Sequence, residues 1–419
     1  MTSNIKQVIR QLVSEWQTRP LPTIKPRQLS IGDWFSEPLY KIITVVGFRR
    51  VGKTFILLDF AAKLGKENCL YLNMEDERLP KKTEVLTELL NVVREVYGEK
   101  RPVLLVDEIQ EIPDWSRWAR RVNENRLYHL VLTGSSSRLS SAEIPTELRG
   151  RTITKHVFPL SFTEFKNWKE TSDELHLLRE YLTFGGFPEI VLAEEGKKPI
   201  LLDEYFQTFL LRDIIERYRP RQEAAIRDLI SLLVNSPYYT IGKLTQSLTG
   251  ADYQIGKGTV AHYLDYLKTS YFFRPLEIHT AKVKSRIQHP KKAYFIDNFF
   301  ISRLAGKFSE NYGRPMEQAV AQSLFQSQTA NPNLDIYYWK SPKDQEVDFV
   351  IRESLKVTEL IQVCFVSSVL EIPLREKQSL VRASRELKCD RLTLITWDLQ
   401  GEIEFEDKTI KCQPLAQRI

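Results

Sequence analysis

Cysteine, histidine and methionine are scarce in this sequence: its 419 residues include four, six and three of them. The four cysteines (Cys69, Cys364, Cys389 and Cys412) are scattered without C-x-x-C spacing, and the histidines show no metal-ligand spacing. This pattern indicates neither a zinc module nor the disulfide framework of a secreted domain. We therefore expect a protein of the reducing cytoplasm.

Long apolar runs are also lacking. No segment approaches the roughly 18 consecutive apolar residues of a membrane-spanning helix, and residues 1–7 lack the apolar core of a signal peptide. We expect neither membrane contact nor secretion. The composition, 42% hydrophobic and 27% charged, is that of a globular protein long enough for two or three domains. A net charge of +6 permits nucleic-acid binding without requiring it.

The most informative feature that is present is a complete Walker A phosphate-binding loop, G-F-R-R-V-G-K-T. It follows the apolar, β-branched run 41–46 and precedes a stretch, 55–63, with helical apolar spacing. Between a strand and a helix N-terminus, backbone N–H groups and the helix dipole hold phosphate oxygens. Lys53 is expected to reach the β- and γ-phosphates of ATP, and Thr54 to ligate Mg²⁺. The predicted nucleotide-binding residues are Gly47, Phe48, Arg49, Arg50, Val51, Gly52, Lys53 and Thr54.

A second motif favours hydrolysis as well as binding. The apolar run 103–106 predicts a strand that leads into two carboxylates, Asp107 and Glu108. We expect Asp107 to hold the Mg²⁺ water shell beside Thr54, and Glu108 to orient or deprotonate the attacking water. Binding alone needs only the aspartate. An acidic turn after a core strand is the alternative, and the complete Walker A loop argues against it.

Further motifs, taken in order, carry a resemblance to a known family. V-D-E-I-Q is followed by L-T-G-S-S-S-R-L, L-R-G-R and F-P-L-S-F-T-E-F, and later by Y-L-T-F-G-G-F-P and F-L-L-R-D-I-I-E-R-Y. Over nearly the whole chain this order resembles a family of archaeal and bacterial AAA-plus ATPases. The resemblance implies an α/β fold, with a P-loop AAA-plus nucleotide domain, a helical lid, a winged helix and a C-terminal domain like that of the PD-(D/E)XK nucleases.

The resemblance also implies domain boundaries. We predict an N-terminal helix and linker over residues 1–40, the ATPase core over 41–160, the helical lid over 161–220, the winged helix over 221–300 and the PD-(D/E)XK-like domain over 301–419. ATP and Mg²⁺ are the implied cofactors of the core.

Three residues outside the Walker motifs are implicated in the same way. In AAA-plus ATPases a polar residue after the strand predicted at 129–134 contacts the γ-phosphate or the attacking water, which nominates Ser135. A serine cap of the next helix is the alternative. Arg149 or Arg151 would complete the site of a neighbouring subunit in a homo-oligomer, because a guanidinium stabilises charge on the transferring phosphate. A role as a surface arginine explains either residue equally well.

The segment 223–287 supports the winged helix independently of the resemblance. Apolar spacing predicts helices over 224–234, 241–248 and 257–267, with strands over 271–278 and 291–296. Three short helices joined by tight turns are typical of a helix-turn-helix unit. Thr259 is the predicted N-cap of the third helix.

Basic side chains are concentrated between Gly256 and Lys292, a segment with eight lysines and arginines and only two acidic residues. This excess of six equals the net charge of the entire chain. This excess of positive charge favours contact with the phosphates of duplex DNA. Such contacts position a protein along the duplex without reading the base sequence. The nominated DNA-binding residues are Lys257, Thr259, Lys282, Lys284 and Arg286. A winged helix that contacts protein, with the lysines as a solvated face, is the alternative.

The C-terminal domain departs from the nuclease pattern. In PD-(D/E)XK nucleases a helix glutamate, a strand aspartate and an E/Q-x-K triplet bind Mg²⁺, and the resemblance places Glu317, Asp348 and Gln362 on these positions. The lysine position holds Cys364, a neutral thiol that we expect to be buried. Unless Lys340 or Lys356 takes the place of the missing lysine, no obvious residue activates the attacking water beside the metal. We expect a nuclease-shaped domain without strong nuclease activity. Residual metal binding by Glu317, Glu346 and Asp348 stays open, as does a plain surface cluster of acids.

Three functions are compatible with these motifs. The first is an ATP-hydrolysing protein that couples its nucleotide state to duplex DNA through the winged helix. The second is an ATP-gated nuclease of defence or mobile elements. The third is a signalling or scaffold ATPase whose winged helix binds protein. DNA-stimulated hydrolysis, Mg²⁺-dependent cleavage and salt-sensitive DNA affinity distinguish them.

Overall fold

Residues 2–32, 35, 40–135, 146–304 and 312–419 are described by the computed structural model. They fall into two units, Met1–Phe158 and Pro159–Ile419. The boundaries predicted at 220 and 300 lie inside the second unit and stay predictions.

The first unit contains a parallel sheet, as expected where short apolar runs alternate with helices along the chain. Its strands are β1 (Ile42–Gly47), β2 (Cys69–Asn73), β3 (Val103–Asp107), β4 (Leu130–Ser135) and β5 (Thr152–Val157). Its helices are α1 (Thr2–Thr18), α2 (Lys53–Leu64), α3 (Glu84–Tyr97) and α4 (Trp115–Glu124). The strand order is β2-β3-β4-β1-β5. The predicted α/β class of the nucleotide domain is confirmed.

This strand order determines which side chains meet. β4 lies between β1, which leads into the phosphate-binding loop, and β3, which ends at Asp107. In the register of β1 and β4, Val45 pairs with Thr133 and Gly47 pairs with Ser135. Since carboxyl ends of parallel strands share one edge of the sheet, residues of three strands converge beside the loop.

The second unit begins with short helices. They are α5 (Phe162–Trp168), α6 (Glu174–Phe184), α7 (Pro188–Leu192), α8 (Lys198–Thr208), a π-helical segment (Phe209–Ile215) and α9 (Glu216–Tyr218). A capping box starts α5: the Ser161 hydroxyl accepts from the N–H of Glu164, whose carboxylate accepts from the N–H of Ser161. The segment predicted as a lid is thus largely helical.

Helices and a small antiparallel sheet follow. They are α10 (Glu223–Asn235), β6 (Tyr238–Tyr239), α11 (Ile241–Gly250), α12 (Lys257–Thr269), β7 (Phe273–Leu276), α13 (Val283–Gln288), β8 (Lys291–Phe295) and α14 (Phe299–Leu304). The strand order is β6-β8-β7. The three helices and two strands predicted here are confirmed, whereas β6 and α13 were not predicted. The N-cap prediction for Thr259 is wrong, because the extended residue Gly256 precedes the first helical residue, Lys257.

The chain ends in a mixed sheet covered by one helix on each face. Its elements are α15 (Gly313–Ala330), β9 (Leu334–Lys340), β10 (Glu346–Glu353), β11 (Lys356–Val363), α16 (Leu374–Leu387), β12 (Leu392–Thr396), β13 (Gly401–Phe405) and β14 (Lys408–Pro414), in the strand order β13-β14-β12-β11-β10-β9. Successive side chains of a strand point to opposite faces of the sheet, so each strand contributes apolar residues to the core on either face. Tyr338 and Phe349 pack on the α15 side, and Trp339 and Val350 on the α16 side.

The small sheet and the mixed sheet share one apolar core. Leu276, Ile278 and Tyr294 belong to the same buried cluster as residues of α15 and β9–β12. The backbone continues this connection: Tyr338 donates to the carbonyl of Glu277 at 3.0 Å and accepts from the N–H of His279 at 2.7 Å. The strands on either side of residue 300 therefore form one packed body.

Two expectations from composition can be compared with the structure. All four cysteines are free thiols. Within the described part of the chain, no helix is both long and apolar enough to cross a membrane.

Candidate functional site

The phosphate-binding loop connects β1 to α2 through two left-handed residues, Arg50 (φ 66°) and Gly52 (φ 94°). Lys53 starts α2 and is buried, and its Nζ donates to the carbonyls of Gly47 at 3.3 Å and Phe48 at 3.2 Å. The ammonium thus lies inside the curve of the loop. Phosphate oxygens would replace these two carbonyls as its acceptors, because charge-assisted hydrogen bonds are stronger than neutral ones. The loop therefore fits a nucleotide phosphate chain.

Arg27, which the sequence did not mark as a functional residue, supports the phosphate-binding loop through two hydrogen bonds to backbone carbonyls. Its Nη1 donates to the carbonyl of Val51 at 3.0 Å, and its Nη2 donates to that of Phe158 at 2.9 Å. The planar guanidinium bridges the turn and the end of β5 in a way that lysine could not. An isolated arginine in a proline-rich linker gives no signal of this role.

Asp107 lies at the centre of the site. Its Oδ2 accepts from Thr54 Oγ1 at 2.7 Å and from the Tyr71 hydroxyl at 2.8 Å, and its Oδ1 accepts from Thr133 Oγ1. Asp107 is 1% exposed, and the three donors compensate for the burial of its charge. The structure thus brings together the two residues nominated for Mg²⁺, Thr54 and Asp107. A hydroxyl and a carboxylate are the oxygen ligands that this ion prefers.

Tyr71 is a second residue that the sequence did not reveal. Burial raises the pKa of its phenol well above the ordinary value, and the charge of Asp107 raises the pKa further. The phenol therefore stays protonated and donates to Asp107. Tyr71 lies in β2, next to β3 in the sheet, so only the strand order brings it to the site.

Glu108 follows β3 in a left-handed conformation, with φ 51°. Such a conformation is unfavourable for a residue other than glycine and persists where the surroundings impose it. Here the Glu108 N–H donates to Thr133 Oγ1 at 3.1 Å, and its carboxylate accepts from Gln110 Nε2. The Thr133 hydroxyl, which also donates to Asp107, therefore connects the two acids.

Replacing Thr133 by valine is expected to lower kcat/KM for ATP hydrolysis by roughly 10- to 100-fold, since hydrogen bonds to charged groups contribute about 1.5–3 kcal/mol. Valine keeps the shape but leaves Asp107 without one donor and the Glu108 N–H without an acceptor. Thr44→Val is the matched control, because the Thr44 hydroxyl bonds to Thr154 Oγ1, at 2.9 Å, in the same sheet. Equal effects of the two substitutions in a steady-state assay would contradict the role of Thr133.

The sequence over this site and beyond it has recognisable relatives. The chain is 34% identical to the uncharacterized protein MJ1544 of Methanocaldococcus jannaschii over 387 residues, which are 88% of this chain and 85% of that protein. The chain belongs to the MJ1544 family. An uncharacterized protein of Haemophilus influenzae is 26% identical over 345 residues, covering 79% of this chain and 83% of that one.

Family models divide this member of the MJ1544 family into three parts. Residues 39–166 match an AAA domain, residues 175–311 a domain of unknown function (DUF8612), and residues 312–373 another (DUF4143). The first unit is therefore an AAA-type P-loop ATPase domain. Among solved structures, the Walker-type ATPase PABY2304 of Pyrococcus abyssi is similar at 12% identity and a TM-score of 0.45, over 71% of this chain and 95% of that one.

The other nominated residues of the nucleotide domain lie in different surroundings. Ser135 ends β4, opposite Gly47 in the register, so its backbone is beside the loop. Arg151 forms an ion pair with Glu124 at 2.7 Å, whereas Arg149 is exposed. Of the two arginines, Arg149 is the more accessible to another molecule.

The nominated DNA-binding residues lie on α12 and around α13. Lys257 and Thr259 are exposed in the first turn of α12, and Lys282 and Lys284 are exposed at the start of α13. Arg286 is half-buried, with Nε 3.3 Å from Glu277 Oε2. The four exposed residues remain accessible to phosphates, while Arg286 is partly neutralised.

Lys292, counted with this basic group in the sequence, lies elsewhere. Its Nζ is in ion-pair contact with Glu317, Glu346 and Asp348, all nominated as a nuclease remnant. Burial lowers the pKa of the ammonium, but the three carboxylates outweigh it and raise the pKa well above its ordinary value. Lys292 is therefore a buried cation of β8 that pairs with acids of α15 and β10, and it is unavailable to DNA.

The remaining nuclease-like positions do not complete a metal site. The Gln362 side chain accepts from the backbone N–H of Asp348 at 3.2 Å. Burial raises the pKa of the half-buried Cys364 thiol to about 11, so it stays neutral. Among the residues that the structure describes, no group of three His, Cys, Asp or Glu side chains is placed to hold a metal ion.

Proposed function

We propose that this protein is a Mg²⁺-dependent ATPase that couples its nucleotide state to the binding of duplex DNA. The observation that carries the proposal is the hydrogen-bonded chain Thr54–Asp107–Thr133–Glu108 beside the phosphate-binding loop. It joins the residues proposed to hold the cation, Thr54 and Asp107, to the backbone of Glu108, to whose carboxylate we assign the attacking water.

Each side chain has a separate task in this proposal. ATP and Mg²⁺ supply the phosphoanhydride bond and the charge that polarises it. Lys53 would donate to the phosphate oxygens, and Thr54 and Asp107 would hold the ion. Glu108 would accept a proton from the attacking water, or orient it, while Gln110 donates to its carboxylate and Thr133 accepts from its backbone N–H. Ser135 and Arg149 are further candidates, the first at the γ-phosphate and the second in the site of a neighbouring copy.

The segment α10–β8 is the proposed DNA reader. Its order is a helix, a strand, two helices and two strands separated by the short helix α13, which resembles the order of a winged helix. Lys257 and Thr259 lie at the exposed start of α12, the helix that would enter the major groove, and Lys282 and Lys284 lie where a wing would meet phosphates. Duplex stimulation of steady-state ATP hydrolysis tests the coupling. Hydrolysis indifferent to DNA would contradict it.

Replacing Lys282 and Lys284 together by alanine is expected to weaken duplex binding and to reduce the slope of log K against log salt by roughly one unit per lysine, because each phosphate contact releases counterions. Fluorescence anisotropy over a series of salt concentrations measures both quantities. Lys197 and Lys411, which are also exposed lysines of the second unit, provide a control pair. An unchanged slope in the Lys282/Lys284 variant would remove α13 from the DNA interface.

A protein-binding winged helix is the second candidate, and one observation favours it. Val283 and Ile287 are 59% and 69% exposed on α13, one helical turn apart, so the supposed wing has an apolar face. This candidate predicts no salt-sensitive retention of duplex DNA. Val283→Ser and Ile287→Ser would then abolish partner binding.

A further inference from the structure

The buried cluster around Lys292 differs from the nuclease centre that the sequence suggests. Lys292 Nζ lies 2.8 Å from Glu317 Oε1, 2.6 Å from Glu346 Oε1 and 2.9 Å from Asp348 Oδ1. The lysine comes from β8, Glu317 from α15, and the other two acids from one face of β10. Only 5% of the lysine side chain is exposed. Three acids from two elements therefore converge on one ammonium.

A divalent metal ion does not fit among these residues. Mg²⁺ would have to lie about 2.0–2.1 Å, and Ca²⁺ about 2.3–2.6 Å, from the carboxylate oxygens that already contact Lys292. An ion in that position would overlap the ammonium and be repelled by its charge. The second oxygen of Asp348 is also engaged, since it accepts from the N–H of Val363 at 3.0 Å. Gln362 is turned to the backbone and offers no replacement ligand.

We propose that Lys292 permanently takes the position of the metal cation in this cluster, which is then an internal ionic connection between β8 and the C-terminal sheet and not a hydrolytic centre. The carboxylates of a nuclease-like site are retained, but their counter-ion is a side chain of the same protein.

The surroundings of the cluster support a connecting role. Tyr294, two residues after Lys292 on the same face of β8, donates its hydroxyl to Glu317. Gln318 exchanges two hydrogen bonds with the backbone of Phe295, so α15 holds the end of β8 as a neighbouring strand would. The apolar core of the two sheets is continuous behind these residues. The ion pairs therefore lie at a junction that is already closely packed.

Lys292 and its three carboxylate partners all lie within the second unit. Their ion pairs require neither ATP hydrolysis by the first unit nor DNA binding by α12 and α13. The measurements below contain no nucleotide, so that the Walker site does not contribute a bound metal ion.

The first test uses the wild-type protein. Titration with Mn²⁺, followed by electron paramagnetic resonance of the free ion, is expected to show no stoichiometric site in the absence of nucleotide. Incubation of duplex DNA with Mg²⁺ or Mn²⁺ is expected to leave the DNA intact. One tightly bound Mn²⁺ that is lost in Asp348→Asn, or cleavage that the same substitution abolishes, would overturn the proposal and identify a metal-dependent nuclease.

The second test removes the internal cation. Lys292→Ala removes the counter-ion of the buried Asp348 and of the half-buried Glu317 and Glu346, and is expected to lower the Tm by roughly 10 °C, as the loss of one partner of a buried ion pair does. Mn²⁺ or Ca²⁺ is expected to restore most of this loss, because an ion can now enter the cluster. Asp348→Asn in the same background should abolish the restoration.

Lys291 provides the matched control. It precedes Lys292 on β8, points to the opposite face and pairs with Glu277 at 2.6 Å, where it is 30% exposed. Lys291→Ala should change the Tm little and should not respond to metal ions. An unchanged Tm in Lys292→Ala would contradict the connection. If Lys292→Ala does not fold, the wild-type Mn²⁺ titration and its Asp348→Asn partner still decide between an internal and an exchangeable cation.

Discussion

Glu108→Gln is expected to reduce kcat for ATP hydrolysis by roughly 100- to 10,000-fold, the usual contribution of a positioned acid–base group. Glutamine keeps the size of the side chain and its contact with Gln110, but it cannot accept a proton from water. ATP affinity is expected to change by less than about threefold, since phosphate and Mg²⁺ contacts lie on Lys53, Thr54 and Asp107. Steady-state hydrolysis and equilibrium binding of a fluorescent ATP analogue measure the two effects separately.

Glu111→Gln provides the control for this substitution. Glu111 lies three residues farther along the same turn and pairs with Lys81 at 3.1 Å, away from Asp107. Its loss should leave kcat nearly unchanged. If Glu108→Gln retained most of its activity, or lost ATP binding in proportion to kcat, Glu108 would not be the residue that handles the water.

The second large effect is expected from Gly47→Ala. A Cβ at this position would lie 2.3 Å from the carbonyl oxygen of Val157 and 3.1 Å from Val51. Gly47 and Val157 are paired in adjacent parallel strands, so the carbonyl cannot move without breaking the β1–β5 ladder. We expect a loss of about 3 kcal/mol in the free energy of unfolding and no measurable ATP binding, both accessible by thermal denaturation with and without nucleotide.

Gly32→Ala is the corresponding control in the same unit. Its Cβ would meet Phe60 at 3.7 Å, an ordinary van der Waals distance. Stability and ATP binding should therefore stay close to those of the wild type. Normal ATP binding in Gly47→Ala would show that the loop and β5 separate more easily than their pairing indicates.

The parts of the fold that could be predicted from the sequence are those whose determining residues lie close together along the chain. The Walker A loop needs only a strand, glycines and a helix start, and these lie within about one turn of each other. The helices at 224–234 and 257–267 were likewise marked by their apolar spacing. The α/β class of the nucleotide domain follows from such local signals.

The residues that the sequence did not reveal depend on how the strands are ordered. Thr133 and Tyr71 meet Asp107 because β4 and β2 flank β3, and no spacing along the chain encodes that order. Arg27 reaches the loop from a linker. Lys292 was counted with a surface charge group because it stands among other lysines, yet its partners are 25 to 56 residues away. Charge counting cannot distinguish an exposed lysine from a buried one.

The cation within the acidic cluster also constrains how such a chain can change over generations. Substitution of Lys292 by a neutral residue leaves an excess of buried negative charge. Substitution of one of the acids leaves the lysine with fewer partners. We therefore expect each single substitution to destabilise the protein. Among relatives, the lysine of β8 and the acids of α15 and β10 should accordingly be kept together or replaced together. Conservation of the acids among relatives would then reflect their pairing with the lysine. It would not indicate that a member of the family cuts DNA.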